Sequence, residues 1–270
     1  MSRKILFVDL DGTLLKNDKT ISAANKRAVH QVLDAGHYVA LATGRAIANG
    51  RKIAKDLGLA KTGCYIMAYN GSVIYDCSAD CILAEKRLPI EYAEYLVSEA
   101  KKAGIYIQTY SDSQVLAMKQ SKELEFYTKR TGMSYRIEKD IWSMLNEEPP
   151  KMLLIDLNGQ EKLRKFQADH REWEKGRCTS FFSCDEYLEY CPLGATKGYG
   201  VEYLEKFLNI SKGNTISVGD QENDIPMLQA AHIGCAMKNA EEKVKEIADY
   251  VTEHDNNEDG VAEVIEKFIF

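Results

Sequence analysis

Short apolar runs alternate with helical patterns over the first two-fifths of the chain. Residues 5–8 (ILFV) form a continuous apolar run, which is typical of a strand covered on both faces. Ser22 can cap a helix whose apolar positions recur at helical spacing, and further strands are predicted at residues 38–42 and 64–68, with a second helix between them. This alternation predicts an α/β fold, with a Rossmann-like parallel sheet and helices on both faces.

The same alternation returns near the C-terminus. Residues 215–218 and 233–237 are predicted strands, and residues 225–231 form a predicted helix that tolerates Pro226 in its first turn. A further helix is predicted at residues 240–248, a short strand at 250–252 and a terminal helix at 261–268. We expect these elements to complete the sheet that the first part of the chain begins.

The pattern changes in the middle of the chain. Helical patterns at residues 90–103 and 163–173 are mixed with strand-like runs at 106–110, 115–118, 152–155 and 187–190. Hairpins mixed with helices indicate an antiparallel sheet covered on one face. We therefore expect residues 1–82 and 191–270 to form a core domain, and residues 83–190 to form an α+β domain inserted into it.

Charge and composition narrow the possible partners. The 270 residues carry a net charge of −6 without a concentrated basic stretch, so DNA or RNA is not expected as a partner. No apolar run approaches the roughly 18 residues needed to cross a bilayer, and no signal-peptide pattern precedes the first strand, so no membrane association and a cytoplasmic location are expected. The seven cysteines include no C-x-x-C pair, and no histidine spacing supports a zinc site.

The strongest candidate for chemistry is the pair Asp9 and Asp11 in the segment DLDGT, directly after the first predicted strand. In open parallel sheets, ligands bind beyond the carboxyl ends of the strands. Side chains two residues apart on an extended backbone point the same way, so the two carboxylates would be crowded. Crowded carboxylates repel each other unless a cation or a shared proton intervenes. The plain alternative, a solvated acidic turn, is less consistent with the apolar strand before it.

A second candidate, Thr43-Gly44-Arg45, follows the predicted strand at residues 38–42. A hydroxyl and free amides at the start of a helix can bind an anion, and Arg45 could reach a phosphate or another substrate group. Taken alone, this segment is better explained by an ordinary helix cap. Lys197 is a third candidate, at the end of the predicted insert; it is either a surface residue or a fixed ammonium that binds phosphate and balances the two aspartates.

The fourth candidate is the segment GDQEND, which follows the predicted strand at residues 215–218 and contains Asp220, Asn223 and Asp224. Oxygen-rich clusters at a strand end suit a hard cation such as Mg²⁺. The alternative is a capped helix start in which acidic residues favour the helix dipole. Parallel sheet topology would bring all four candidates to one edge of the sheet.

These motifs together resemble the haloacid dehalogenase (HAD) superfamily, and specifically its Cof-type phosphatases, which carry a large α/β cap of type IIB after the third core strand. The resemblance spans essentially the whole chain. It includes residues 70–72 (NGS) after the third strand, the long insert, and the segments at 236–240 (AMKNA) and 259–262 (DGVA). It implies a core and an inserted cap that selects the substrate.

The resemblance also implies residue roles. Asp9 would attack phosphorus and form an aspartyl-phosphate, while Asp11 would protonate the leaving alcohol and then activate water. Mg²⁺ would be held by Asp9, the Asp11 backbone carbonyl and Asp220, with Asp224 close by or bound through water.

Phosphate binding would involve a different group of side chains. The resemblance implies that Thr43, the Gly44 amide and Lys197 hold the transferring phosphoryl group. Arg45 and Asn223 would be further substrate contacts. Asp11 must be protonated when the substrate arrives, which its acidic neighbours would favour.

Two alternatives remain open at the sequence level. A phosphomutase would use the same aspartyl-phosphate and pass the phosphoryl group to a second hydroxyl, and a non-catalytic relative would bind a phosphorylated ligand without turnover. The expected partner is a small phosphorylated metabolite, and the chain is expected to be a monomer or a small homo-oligomer. Several tyrosines of the insert could line a pocket or form its core: Tyr92, Tyr106, Tyr110, Tyr127 and Tyr135.

Overall fold

The computed structural model of the chain describes residues 2–111, 114–145 and 147–270. Its strands, in chain order, are β1 (Ile5–Asp9), β2 (Tyr38–Ala42), β3 (Cys64–Ala68), β4 (Val73–Asp76), β5 (Cys81–Glu85), β6 (Tyr106–Tyr110), β7 (Val115–Ala117), β8 (Tyr135–Ile137), β9 (Met152–Ile155), β10 (Cys178–Cys184), β11 (Tyr187–Pro192), β12 (Thr215–Gly219), β13 (Ile233–Ala236) and β14 (Tyr250–Val251). Its helices are α1 (Ala23–Asp34), α2 (Ile47–Asp56), α3 (Ile90–Lys102), α4 (Lys122–Thr131), α5 (Glu161–Glu174), α6 (Lys197–Leu208), α7 (Ile225–Ala230), α8 (Glu242–Lys245) and α9 (Gly260–Phe268).

An eight-stranded sheet has the strand order β14-β13-β12-β1-β2-β3-β4-β5. The six strands from β14 to β3 are parallel, and β1 lies in the middle, with Phe7 opposite Ala40 of β2 and Ser217 of β12. Every residue of β1 is buried, as the continuous apolar run predicts. The predicted α/β fold with a central parallel sheet is confirmed, and the carboxyl ends of β1, β2, β3 and β12 share one edge.

Local sequence explains the helix boundaries that precede these strands. The Ser22 hydroxyl accepts a hydrogen bond from the Asn25 amide at 3.0 Å, which caps α1 as expected. Ala28, Val29 and Val32 of α1 are buried because helical spacing places them on the face toward the sheet.

A hairpin of β4 and β5 extends the sheet and was not predicted. β4 pairs antiparallel with β3, and β5 pairs antiparallel with β4 at the sheet edge. β5 extends past residue 82 and β11 extends past residue 190, so both expected domain boundaries fall within strands. The division of the chain into 1–82 with 191–270 and 83–190 stays a prediction.

A second sheet of six strands has the order β10-β11-β9-β6-β7-β8 and is antiparallel except for the β7–β8 pair. Side chains alternate between its faces along β9. Met152 and Leu154 pack with Leu96 of α3 and Phe166 of α5, whereas Leu153 and Ile155 join the hydrophobic cluster of the eight-stranded sheet. One face is therefore covered by helices, and the opposite face packs toward the other sheet.

The tyrosines of the middle segment lie in different environments, some in the core and some nearer the surface. Tyr106 and Tyr110 are buried in the shared hydrophobic cluster, and Tyr135 is 43% exposed. Tyr92 packs edge-on against Trp173. Tyr127 lies on α4, which was not predicted because few apolar residues mark it; Ser121 caps its start and Gly132, in the left-handed conformation, ends it.

None of the helices over the described residues combines the length and the hydropathy that a membrane crossing requires.

We predict that Leu6→Ala lowers the free energy of unfolding by about 2–5 kcal/mol, because it opens a cavity beside a fully buried central strand. The matched control is Leu193→Ala, at a position that is 53% exposed, where the change should stay within about 0.5 kcal/mol. Urea unfolding followed by circular dichroism measures both variants. Equal effects would show that β1 does not lie in the core.

Candidate active site

Asp9 lies at the carboxyl end of β1, where the chain turns out of the sheet, and it is 6% exposed. The turn is tight: Leu14 and Leu15 donate backbone hydrogen bonds to the carbonyls of Asp9 and Leu10. Gly12 has φ +82°, and a Cβ there would lie 2.3 Å from Asp220 Oδ2. Glycine at this position lets the loop after β1 approach the loop after β12.

Lys197, the first residue of α6, brings a buried cation to Asp9. The Thr196 hydroxyl caps this helix by accepting from the Tyr199 amide at 3.1 Å. Lys197 Nζ, fully buried, lies 2.6 Å from Asp9 Oδ1 and 2.5 Å from Asp224 Oδ1. Burial alone would lower the pKa of Lys197, but the two carboxylates raise it above its ordinary value, so the ammonium stays charged.

Asp9, Asp220 and Asp224 form a buried acidic cluster, in which one carboxylate oxygen of each residue lies within 4.8 Å of those of the other two. Burial raises the pKa of Asp9 to about 7 against the effect of Lys197, and burial together with Asp9 raises that of Asp220 well above its ordinary range. The single positive charge of Lys197 therefore does not neutralise the negative charge of the three carboxylates. Carboxylate oxygens crowded in this way suit a hard divalent cation.

The carboxylates of the cluster differ in the number of hydrogen bonds that they accept from the protein. Asp224 Oδ2 accepts from the amides of Asp220 and Gln221 at 2.9 and 3.0 Å, and its Oδ1 accepts from Lys197. Asp220 Oδ1 accepts from the Thr13 hydroxyl at 2.7 Å. Asp224 thus caps its own loop, as the alternative reading of the segment expected, and also lies in the acidic cluster.

Asp11 forms ion pairs that the sequence did not predict. Arg45 Nε and Nη2 each donate to its carboxylate at 2.6 Å, and Lys19 Nζ donates at 2.7 Å. Burial would raise the pKa of Asp11, but these cations lower it to about 2. Without substrate, the Asp11 carboxyl is therefore ionised and paired with Arg45 and Lys19, and its protonation when the substrate arrives stays a prediction.

Thr43 and Gly44 follow β2 and lie beside the cluster. Thr43 is buried; its hydroxyl accepts from the Arg45 amide at 3.1 Å, and its carbonyl accepts from the Asn70 amide at 2.9 Å. Over the described ranges, the Gly44 amide has no hydrogen-bond partner. That amide is the donor which this loop leaves for an anion.

Asn223 forms a hydrogen bond with Asn70 at the side of the cavity. Its Nδ2 donates to Asn70 Oδ1 at 2.9 Å, and its buried Oδ1 lacks a partner among the residues that the structure describes. Asn70 has φ 57°, so the turn after β3 holds a left-handed residue. The sequence singled out this segment but assigned Asn70 no contact.

A cavity of about 80 Å³ opens between the two sheets. The predicted site residues that line it are Asp9, Asp11, Thr43, Gly44, Arg45 and Asn223, whereas Lys197, Asp220 and Asp224 lie beside Asp9 without lining it. Tyr127 of α4, which the sequence indicated as a possible pocket residue, also lines it. The six-stranded sheet and α4 contribute further residues that the sequence left unassigned: Arg130, Thr131, Lys151, Ser183, Cys184, Tyr187 and Glu189. The sequence could have indicated Glu189, because it is a charged residue inside the otherwise apolar run of β11.

The sequence profile of the haloacid dehalogenase-like hydrolases matches residues 6–265. The chain belongs to this family. A solved haloacid dehalogenase-like hydrolase from Bacteroides thetaiotaomicron is 29% identical to it, with a TM-score of 0.89 and all of both chains covered. A 5-amino-6-(5-phospho-D-ribitylamino)uracil phosphatase of Bacillus subtilis is 28% identical over 266 residues, which cover 98% of this chain and 96% of the relative.

A solved HAD subclass IIB sugar phosphatase shares the fold, with a TM-score of 0.84, 23% identity and 98% of both chains covered. The Cof-type resemblance is confirmed, and with it the inserted α+β cap as part of the fold class. This member of the haloacid dehalogenase-like family is a phosphatase enzyme.

We predict that Asp11 stays ionised in the metal-free protein down to about pH 3, with a pKa of about 2. Because this value lies below the ordinary 3.8, the ion pairs stabilise the folded chain above about pH 4 and are lost as the pH falls toward 2. Arg45→Met should raise the pKa to about 3 or higher. Carbon-13 NMR of the carboxyl groups measures it.

The matched control is Arg51→Met, because Arg51 pairs with the exposed Asp80 and not with Asp11. An unchanged Asp11 titration in the Arg45 variant, or an equal change in both variants, would contradict the ion pair.

Proposed function

We propose that the chain is a magnesium-dependent phosphatase that hydrolyses small phosphorylated metabolites through an aspartyl-phosphate on Asp9. The observation that carries this proposal is the position of Asp9: a buried carboxylate at a strand end, held by Lys197 and placed next to Asp220. The open cavity begins directly above it. Such a carboxylate is fixed in orientation and faces the place where a substrate enters.

The donor set fits Mg²⁺. We propose Asp9, the Asp11 backbone carbonyl and Asp220 as ligands, with Asp224 contacting the ion through water because both of its oxygens already accept hydrogen bonds. When bound, the ion neutralises charge on the phosphoryl oxygens and lessens their repulsion from the nucleophile. The excess of buried negative charge over Lys197 supports this assignment.

The remaining chemistry falls to side chains and amides of the chain. Thr43, the Gly44 amide and Lys197 hold the phosphoryl group while an Asp9 oxygen bonds to phosphorus and the bond to the leaving oxygen breaks. Asp11 gives its proton to that oxygen. Water then attacks phosphorus, its proton passes to Asp11, and the bond between Asp9 and phosphorus breaks.

Arg45 has to release Asp11 before Asp11 can carry a proton. In the absence of substrate, Arg45 and Lys19 both contact the Asp11 carboxylate. Phosphoryl oxygens entering beside Gly44 compete for the Arg45 guanidinium, which binds such groups with two parallel hydrogen bonds. Substrate binding would therefore leave Lys19 as the one described cation on Asp11, which raises the pKa of Asp11 toward the range that an acid needs.

We further propose that residues 83–190 act as the cap that contacts the leaving group. Tyr127, Arg130 and Tyr187 line the cavity on this side and offer hydroxyls, a guanidinium and ring faces. Aromatic faces with a few placed polar groups are typical linings of small-molecule pockets. The Bacillus subtilis relative is named for a substrate with a phosphorylated ribityl chain, and sugar or sugar-alcohol phosphates are the class that we propose.

Asp9→Asn should abolish phosphate release from a panel of sugar phosphates while the protein keeps its fold, because an amide of the same shape cannot act as the nucleophile. Asp18→Asn, which changes an exposed carboxylate of the same region, is the matched control and should retain activity. Released phosphate is measured with freshly purified protein. Turnover by a well-folded Asp9→Asn protein at the wild-type rate would refute the mechanism.

Activity should disappear on chelation and return with Mg²⁺. Asp220→Asn should raise the Mg²⁺ concentration for half-maximal activity by about ten-fold or more, because it removes one charged ligand. Calorimetric titration of the free protein with Mg²⁺ provides a readout independent of turnover. Full activity after thorough chelation, or unchanged Mg²⁺ affinity in the variant, would count against the proposed ligand set.

A further inference from the structure

Lys151 and Glu189 form a buried ion pair that the phosphoryl-transfer steps do not use. Lys151 directly precedes β9 and Glu189 lies in β11, so the six-stranded sheet positions both residues. They are 1% and 2% exposed, and Lys151 Nζ lies 2.5 Å from Glu189 Oε2. Removing two charges from water is costly, and the remaining donors and acceptors of such a pair need partners. Those partners lie in the other sheet.

The ammonium of Lys151 reaches the loop after β2. Its Nζ donates to the Gly44 carbonyl at 2.6 Å. This carbonyl belongs to the same peptide group as the Arg45 amide, which donates to the Thr43 hydroxyl at 3.1 Å. The Gly44–Arg45 peptide is thus held at both ends, and one of the two contacts comes from the six-stranded sheet.

The carboxylate of Glu189 fixes the neighbouring peptide through Asn70. Asn70 Nδ2 donates to Glu189 Oε2 at 2.8 Å, and the Asn70 backbone amide donates to the Thr43 carbonyl at 2.9 Å. Because a trans peptide points its N–H opposite to its carbonyl, the Gly44 amide must point away from Asn70. Gly44 lines the cavity, and its amide has no partner over the described ranges.

Close packing leaves this loop little freedom. A Cβ on Gly44 would lie 3.2 Å from both Glu189 Oε1 and Asn70 Oδ1, so these side chains occupy the space beside the glycine. Asn70 Oδ1 also accepts from Asn223, which joins the loop after β12 to the same network. A change at Lys151 or Glu189 therefore acts on the direction of the Gly44 amide.

We propose that Lys151 and Glu189 are positioning residues for the phosphate site. From the six-stranded sheet they hold the Gly44–Arg45 peptide and Asn70, and so aim the Gly44 amide at the phosphoryl group. The Gly44 amide is held in this direction when residues from both sheets contribute. The affinity for phosphate is therefore coupled to the docking of the six-stranded sheet against the eight-stranded sheet. This proposal rests on the phosphate-binding role given to Gly44 under the proposed function.

The test is the double variant Lys151→Met/Glu189→Gln, in which neither partner is left as an unpaired buried charge. Calorimetry measures its affinity for inorganic phosphate in the presence of Mg²⁺, and separately its affinity for Mg²⁺ alone. We expect the phosphate Kd and the KM for p-nitrophenyl phosphate to rise about ten-fold or more, since an amide hydrogen bond to a charged oxygen is misaligned. The Mg²⁺ affinity should stay within about two-fold, because no proposed ligand is touched.

Two further variants keep the test decisive. Glu189→Gln alone keeps the size of the side chain and one oxygen acceptor, and should raise the phosphate Kd by a smaller factor, about three-fold. Lys162→Met is the matched control: Lys162 also donates to a glycine carbonyl, that of Gly104 at 2.7 Å, but at an exposed site. It should leave phosphate and Mg²⁺ binding unchanged.

The outcomes separate this proposal from the proposed function. A folded double variant with the phosphate affinity of the wild type overturns the positioning role, as does a parallel loss of phosphate and Mg²⁺ affinity, which would indicate general structural damage. If the double variant does not fold, wild-type phosphate affinity in Glu189→Gln overturns it. If the wild type hydrolyses no phosphate ester, the proposed function is refuted. The phosphate Kd of the wild type and of the variants then still tests the positioning role of Lys151 and Glu189.

Discussion

The contact between the Lys197 ammonium and the buried carboxylates of Asp9 and Asp224 is the constraint on which the site depends. Three carboxylates at the carboxyl ends of β1 and β12 would repel one another without a cation. The backbone brings the ammonium there by close packing: a Cβ on Gly198 would lie 2.5 Å from the Pro226 carbonyl, so α6 begins directly against α7. The negative charge that Lys197 leaves unbalanced suits a divalent cation, and in the proposed mechanism Asp9 would lie between the Lys197 ammonium and that cation.

Residues from both sheets line the cavity above this cluster. This arrangement links the proposed binding of phosphate to the proposed selection of the leaving group. Gly44 and Arg45 come from the eight-stranded sheet, while Tyr127, Arg130 and Lys151 come from the middle segment of the chain. The shared hydrophobic cluster and the Tyr69–Tyr110 ring contact at 5.6 Å join the two sides. The groups proposed to bind phosphate are thus held partly by the part of the chain proposed to select the leaving group.

Much of the core could be predicted from sequence, because apolar runs and caps are local signals and parallel topology places strand ends together. The β4–β5 hairpin and α4 were missed since their apolar patterns are short or interrupted by charges. The network around Lys151 was missed for another reason. Its partners Gly44 and Glu189 lie 107 and 38 residues away in sequence, and no spacing rule connects them. The Arg45–Asp11 ion pair likewise appears when the fold brings two recognised motifs within hydrogen-bond distance.

The most direct test of the account is to trap the covalent intermediate and locate it on the chain. A sugar phosphate that the wild type turns over is mixed with the protein and Mg²⁺, the reaction is quenched within one turnover, and borohydride reduces any acyl phosphate to an alcohol. Mass spectrometry of the peptides then identifies the modified residue. We expect homoserine at position 9. Release of the alcohol product in a full turnover without modification, or modification at any other residue, would contradict a mechanism centred on Asp9.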